Sequence, residues 1–532
     1  MFSLAILIGV YGYLILSLGL MGSLYHNQIL LVSSIYFIVI ALFYSKSILR
    51  YLNWDYFLSI FPPFKKNLIF YFLLLLFCVQ LFINLIGALG PELAFDSLWY
   101  HLTIPKIYLI YHSVFYIPGN LLYYSAMPKL GEMLYVSALS LSSEITAKLL
   151  HLAFGILVSG AIYKFSRKYF DKTTSILAVV IFYSNIVVAW QSTTAYIDLI
   201  RTFFEFIAFW GFINWWETKK IQWLVESGVI LGLAASTKII GLSSLFIFLI
   251  FIIAKKKNRL KNCLIFIVST VSILSPWLIF SFLQTGNPVS PLFTNLVPAF
   301  HLSQLNPITI IMQVFNLFTS SSDPVSPIYL ILLPLILINL GKLKGPSTIL
   351  LGYCLLALLF LCLIPTTDIG RFYMPYLPVF SVLSASLFSL FSKSKSWQFA
   401  VLSIALVLSL TTIGYRAVAE KKYLPVVLGK ESKSKFLSDN LNFSFGDFYD
   451  TDGFFKNRVA ENQKALLFGF HNLYYVDFPF IDSSWVKKGD RFNYVVVQNT
   501  SVPERFKYWN LIYSNNKTHV KVYSLGGAQW GY

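Results

Sequence analysis

The sequence predicts an all-α polytopic membrane protein of about 13 transmembrane helices, with a small α/β domain at its C-terminal end. Three observations predict it. First, 57% of the 532 residues are hydrophobic and 18% aromatic, only 12% are charged, and the mean hydropathy is +0.68; soluble domains carry about 25% charged residues. Second, apolar stretches recur at lengths near the roughly 20 residues that cross a bilayer core. Third, residues 416–532 change character: apolar runs shorten and charges such as Lys421, Lys422, Glu431, Asp447, Asp450 and Asp452 accumulate. The same figures exclude disorder, collagen, coiled coil and a disulfide-rich secreted scaffold. Cys78, Cys263, Cys354 and Cys362 lie inside apolar runs without a CxxC or Cys/His cluster, so neither a disulfide framework nor a zinc site is indicated.

The candidate spans are 2–22, 29–44, 67–87, 147–163, 175–190, 199–214, 223–236, 240–254, 263–283, 327–340, 348–364, 376–391 and 397–415. The first has no basic leader region and no clear cleavage site, so it reads as a retained span. Basic residues then set the orientation. They concentrate in alternate connections: Lys46, Arg50, Lys65 and Lys66; Lys164, Arg167, Lys168 and Lys172; Lys219 and Lys220; Lys255, Lys256, Lys257, Arg259 and Lys261; Lys342 and Lys344; Lys393 and Lys395. Only Asp55, Asp171 and Glu217 oppose them there. The intervening connections hold Glu92, Asp96, Glu132, Glu144, Asp198, Asp323 and Asp368. The basic set is therefore expected inside, which explains the formal charge of +18 without nucleic acid. A span at 130–143 would break this alternation, so that stretch is expected to lie along the outer interface. A first large outer loop then runs from about 88 to 146. The expected division is a transmembrane module over 1–415 and an extracytoplasmic domain over 416–532. Within the latter, 465–467, 494–497 and 520–523 read as short strands between polar turns.

Charges at the outer ends of the spans are the functional candidates, because an ionisable group at membrane depth is costly without a partner. Asp96 follows the third span; its competing role is a cap on a helix starting at Ser97. Asp198 and Arg201 stand at i, i+3 and could pair with each other. Lys238 closes a tight hairpin and Arg371 opens the twelfth span, where snorkelling is the alternative for both. Acids and bases on one face suit capture of an anionic ligand beside a carboxylate base, with arginine offering a fork and lysine a point charge. His101 and His112 fall in the first outer loop, where a hydrogen-bonded structural role is the ordinary one. No metal-ligand spacing, phosphate loop or GxGxxG is present, so no cofactor is signalled; a divalent metal is left open.

Several segments carry a resemblance in order along the chain. They are Phe95-Asp96-Ser-Leu-Trp-Tyr100-His101-Leu-Thr-Ile-Pro105-Lys106, Ser125-Ala-Met-Pro128-Lys-Leu-Gly-Glu132, Ala195-Tyr196-Ile-Asp198, Gly232-Leu-Ala-Ala-Ser-Thr-Lys238, Ser275-Pro276-Trp277 and Gly370-Arg371-Phe-Tyr-Met-Pro375. Together, over roughly 67–380, they resemble the GT-C membrane glycosyltransferases, in the branch similar to protein O-mannosyltransferases and the lipid A aminoarabinose transferase. The resemblance implies a polyprenyl-phosphate-linked sugar as donor, a protein, lipid or glycan acceptor, and inverting transfer of a hexosyl or pentosyl group on the outer face. It makes Asp96 and Asp198 the catalytic candidates, and Tyr100, His101, Lys106, Lys238 and Arg371 the substrate-binding ones. Two departures stand out: the paired acids usual in the first motif are here Asp96-Ser97, and an extra hairpin precedes the loop. The rival readings are a glycan polymerase and a lipid-linked glycan flippase, which would string its charges along a central path.

Overall fold

The computed structural model describes every residue except 53–61, 256, 295–305, 322, 343–345, 364–369 and 527. Asp55, Lys256, Lys344 and Asp368 therefore lie outside the described residues. The helices of the N-terminal half are α1 (Phe2–Leu20), α2 (His26–Leu52), α3 (Leu68–Leu89), α4 (Thr103–Ile110), α5 (Leu130–Leu141), α6 (Glu144–Ser166), α7 (Lys172–Tyr183) and α8 (Ile186–Gln191). They are followed by α9 (Asp198–Thr218), α10 (Ile221–Thr237), α11 (Leu242–Ala254), α12 (Arg259–Thr285) and α13 (Pro307–Thr319). The last helices of the bundle are α14 (Ile328–Ile338), α15 (Ser347–Leu363), α16 (Leu377–Leu390) and α17 (Lys395–Glu420). Length and apolarity alone single out seven of the expected 13 spans among the described residues, the first six being α1, 26–45, α3, α6, α12 and 370–390, and the seventh a run from α17 to 427. Shorter apolar helices such as α7, α10 and α14 stand beside them. The chain is a multi-pass integral membrane protein. In α2 only 11% of the span is buried, as befits a helix whose apolar side chains meet lipid.

Helix α9 is the axis of the bundle. It is buried along almost its whole length and packs against α6, α10 and the turn 370–376. Helix α3 ends at Gly90, where the carbonyls of a helix terminus lose their own partners. The ammonium of buried Lys148 on α6 supplies them, donating to the carbonyls of Gly87 (2.8 Å), Gly90 (2.7 Å) and Pro91 (3.2 Å).

The helix at 130–141 is covered by protein: Leu130 through Ala138 are all buried, packed by α1, α4 and α6. A Cβ on Gly12 of α1 would come within 2.6 Å of the Leu130 side chain, so a glycine permits this approach.

The C-terminal region carries the expected strands. A five-stranded sheet has the order β2-β1-β4-β6-β5, from β1 (Ala465–Phe468), β2 (Phe480–Asp482), β4 (Tyr494–Gln498), β5 (Asn510–Asn515) and β6 (Val520–Ser524). Strands β3 (Arg491–Phe492) and β7 (Trp530–Gly531) form a separate pair. β1 runs parallel to β2 and β4, while β6 is antiparallel to β4 and β5. This region sits directly on residues 92–98: Tyr475 Oη donates to the Glu92 carbonyl (2.9 Å) and the Tyr474 amide to the Leu98 carbonyl (3.3 Å). At the other end of the bundle the basic connections converge. There Lys168 pairs with Glu217 (2.5 Å) and Lys255 lies 3.8 Å over Trp216.

Candidate active site

Past Gly90 the chain is held open by one carboxylate. Glu92 accepts from its neighbours Leu93 N and Ala94 N (both 2.8 Å) and reaches across to Ala195 N (2.6 Å). This fixes residues 92–96 against the segment that precedes α9. Asp96 then begins a wide turn over Ser97–His101, but its side chain does not cap that turn. Instead Oδ2 accepts from Tyr100 Oη (2.9 Å) and from Arg371 Nη1 (2.5 Å), while its amide donates to Tyr196 Oη (3.2 Å).

Arg371 arrives from 275 residues away. It stands in the short helical turn Gly370–Tyr376 that leads into α16. A Cβ at position 370 would lie 2.1 Å from the Asp323 carbonyl oxygen, so glycine there allows the turn to close on the 320–327 segment. Arg371 Nε is 3.6 Å from Asp323 Oδ2, and the guanidinium lies 5.2 Å from the Tyr196 ring centre and 5.5 Å from that of Phe372. Burial pushes the Asp323 carboxyl up, and Arg371 opposes the shift.

The second pair lies beside the first. Asp198, at the N-terminus of α9, accepts from Lys238 Nζ at 2.8 Å; Lys238 closes the C-terminus of α10 and lies 4.5 Å over Phe372. Each charge sits at the helix end that favours its sign. The sequence alternative of an Asp198–Arg201 pair is not formed, because Arg201 Nε donates to Glu205 Oε1 at 2.7 Å. Snorkelling is likewise not what Lys238 and Arg371 do.

His101 is buried. Its Nδ1 is 2.8 Å from Glu132 Oε1, and its ring packs 4.2 Å from Tyr100 and 5.5 Å from Tyr196. It therefore packs against the two tyrosines that touch Asp96. Lys106 is not brought into this network among the described residues. Its ammonium donates to the carbonyls of Tyr474 (2.7 Å) and Val476 (2.9 Å) and to Asp477 Oδ1 (2.6 Å). It moors the first loop to the C-terminal region, a job its proximity to Asp96 in sequence conceals. Among the described residues, no three His, Cys, Asp or Glu side chains gather as a metal-ligand set.

The network thus joins three carboxylates (Asp96, Asp198, Asp323) to two fixed cations (Arg371, Lys238) through Tyr196 and Phe372. The Asp198 Oδ2, Glu132 Oε2, His101 Nε2 and Arg371 Nε atoms are buried without a hydrogen-bond partner among the described residues. Unsatisfied buried polar atoms are costly.

A crystal structure of ArnT from Cupriavidus metallidurans bound to undecaprenyl phosphate superposes with a TM-score of 0.57 at 11% identity, covering 85% of this chain and 98% of that one. Its apo form gives 0.54 at 10% identity, covering 85% and 97%. This is a GT-C fold of the ArnT type. Residues 133–280 also match the family described as dolichyl-phosphate-mannose-protein mannosyltransferase. Among curated proteins no sequence matches. Within the GT-C fold, the sequence named Asp96, Asp198, Lys238 and Arg371 but gave no role to Tyr196, Asp323 or Glu132. Asp323 carried a signal, being an acid in a connection poor in charge. Tyr196 and Glu132 stood inside the resembling segments.

Proposed function

We propose that the chain is a glycosyltransferase that moves a sugar from a polyprenyl-phosphate donor to an acceptor hydroxyl on the outer face of the membrane, with the 416–532 region on that face. The observation that carries the reading is the contact between Asp96 and Arg371: a carboxylate base and a forked cation meet where a lipid phosphate entering from the bilayer would arrive. Asp96 takes the proton of the acceptor hydroxyl. The hydroxyl oxygen attacks the anomeric carbon from the face opposite the phosphate, so the configuration inverts. The bond from that carbon to the phosphate oxygen breaks, and the leaving phosphate keeps the electron pair. Arg371 and Lys238 neutralise the charge that develops there, as positioned cations do in a site shielded from water.

Arg371 pairs with Asp96 and Lys238 with Asp198, so each cation assigned to the donor phosphate has a carboxylate beside it. The ArnT neighbour, bound to undecaprenyl phosphate, supports the donor class. The test is transfer of radiolabelled sugar from a polyprenyl-phosphate donor in washed membranes: the label passes to an acceptor here, whereas a flippase leaves the donor intact. Orientation is tested separately. A cysteine in place of Asn499 should react with an impermeant thiol reagent in intact cells, and protection there would put the C-terminal region inside.

A further inference from the structure

Outside the Asp96 network the molecule has a built concavity. A cleft of about 980 Å³ lies between residues 106–118 and the C-terminal sheet, along its edge strand β2. That volume is in the range of small-molecule sites, roughly 300–1,000 Å³. One end is closed by the Lys106–Asp477 bridge. Beyond the other, Gly119 (φ +91) is pressed on the turn at 484, where a Cβ would fall 2.0 Å from the Ser484 carbonyl oxygen. Phe115 and Tyr116 face it from the loop, Phe480 and Trp485 from the sheet, and all four rings are half-buried. Its charges balance: Lys106, Lys464 and Lys487 against Glu461, Asp477 and Asp490. The loop is tied to the end of α1, Val114 N donating to the Gly19 carbonyl (2.9 Å) and Leu24 N to that of His112 (3.0 Å). Exposed Ile110 and Tyr111 form the lip on that side.

We propose that this cleft binds the sugar units of a glycan acceptor. A hydrocarbon chain would strip water from the exposed Glu461, Lys464, Asp477 and Lys487 without replacing it, which is unfavourable. A bare phosphate headgroup would select an excess of bases, and there is none. A pyranose suits both features: its C–H face stacks on aromatic rings, and its rim of hydroxyls donates to carboxylates and accepts from ammonium groups. The chain from Asp96 to Lys106 passes through the wide turn Ser97–His101 and then into α4, away from the Asp96 network. From Tyr100, bonded to Asp96, the stacked rings of Tyr124 (4.0 Å) and Tyr123 (4.3 Å beyond) lead onto the loop that walls the cleft. The cleft therefore holds sugars remote from the reacting hydroxyl, and an acceptor must be an oligosaccharide rather than a single residue.

The inference rests on the transferase reading, so its test is binding without donor. The probes are tritium-labelled glycolipids extracted from the organism's own membranes, and the water-soluble glycans released from them by mild acid. Each is bound to purified full-length protein in nanodiscs. Lys521→Ser, an exposed substitution on β6 that does not line the cleft, should bind as the wild type does. Trp485→Ala should weaken binding tenfold or more, and so should the paired exposed variant Lys464→Ser/Lys487→Ser, which disturbs no core. Binding of both probes assigns the affinity to the glycan alone; binding of the glycolipid alone makes the lipid anchor part of the ligand. Failure of the wild type to bind either probe, or undiminished binding by both cleft variants, would overturn the proposal. Absence of sugar transfer by the wild type, with glycan binding retained, would instead overturn the transferase reading and leave the cleft standing.

Discussion

Helix α9 carries two buried ion pairs within two turns, and they differ in every respect except charge. Arg201 and Glu205 pair along one helix face at i, i+4, with both side chains 0% exposed and Ser244 Oγ completing Glu205 at 2.9 Å. Asp198 pairs with Lys238 from another helix, beside Asp96 and Arg371 from two more segments. In this second group Lys238 keeps 17% of its side chain exposed and Arg371 14%. The first pair is sealed and local; no ligand can reach it, and its role is to let two charges exist inside the bundle. The second draws its members from sites 40 and 275 residues apart and leaves them within reach of solvent. An interior charge is thus a weak sign of function by itself. Assembly from distant segments together with access is the stronger sign.

The largest effect expected is on the sealed pair. Glu205→Ala strands Arg201 in a buried site, and breaking such a pair costs about 3–5 kcal/mol. Thermal unfolding in detergent should show this loss whether or not donor is present. If stability is kept and only turnover falls, the sealed pair belongs to the chemistry and the comparison collapses.

The next effect falls on the open group. Arg371→Ala should remove a charge-assisted contact to the donor phosphate worth about 1.5–3 kcal/mol, read as weaker binding of polyprenyl phosphate. Arg371→Lys should recover only part, since the fork is lost. Unchanged donor affinity in folded Arg371→Ala protein would confine Arg371 to holding Asp96 and Asp323.

A smaller effect comes from a third kind of buried acid, one without a base. Asp482, at the end of β2, is met by the Ser484 amide at 2.8 Å, and burial pushes its carboxyl from 3.8 up to about 6. Between these values the folded state binds more protons than the unfolded one, so stability falls as pH rises through the window. Asp482→Asn should flatten that slope and raise the unfolding temperature at pH 7. An unaltered pH profile would mean the carboxylate is solvated after all.

The four charged members of the open group were legible in the sequence because each interrupts the end of an apolar stretch, where burial without a purpose is penalised. Their pairing was not legible. Asp198 faced Arg201 at helical spacing, and only the packing of α10 and the turn at 370–376 decides that Lys238 and Arg371 take the acids instead. The contacts of Lys106 were not legible either: it is close to Asp96 in sequence, but a helix carries it to the C-terminal region. The strands at 465, 494 and 520 could be read from short β-branched runs between turns. The interior position of 130–141 could not, since nothing in that segment reveals that α1 will cover it.

The central claim is that Asp96 acts on the acceptor while Arg371 and Lys238 hold the donor, and purified Asp96→Asn tests it most directly. Asparagine keeps the size and still accepts from Tyr100 and Arg371, but it takes no proton at neutral pH. Sugar transfer and polyprenyl-phosphate binding are measured on the same preparation. The account predicts a folded protein with near-normal donor binding and turnover reduced about 10²–10⁴-fold, the usual contribution of a general base. Near-normal transfer by Asp96→Asn would contradict it and move the catalytic role to Asp198.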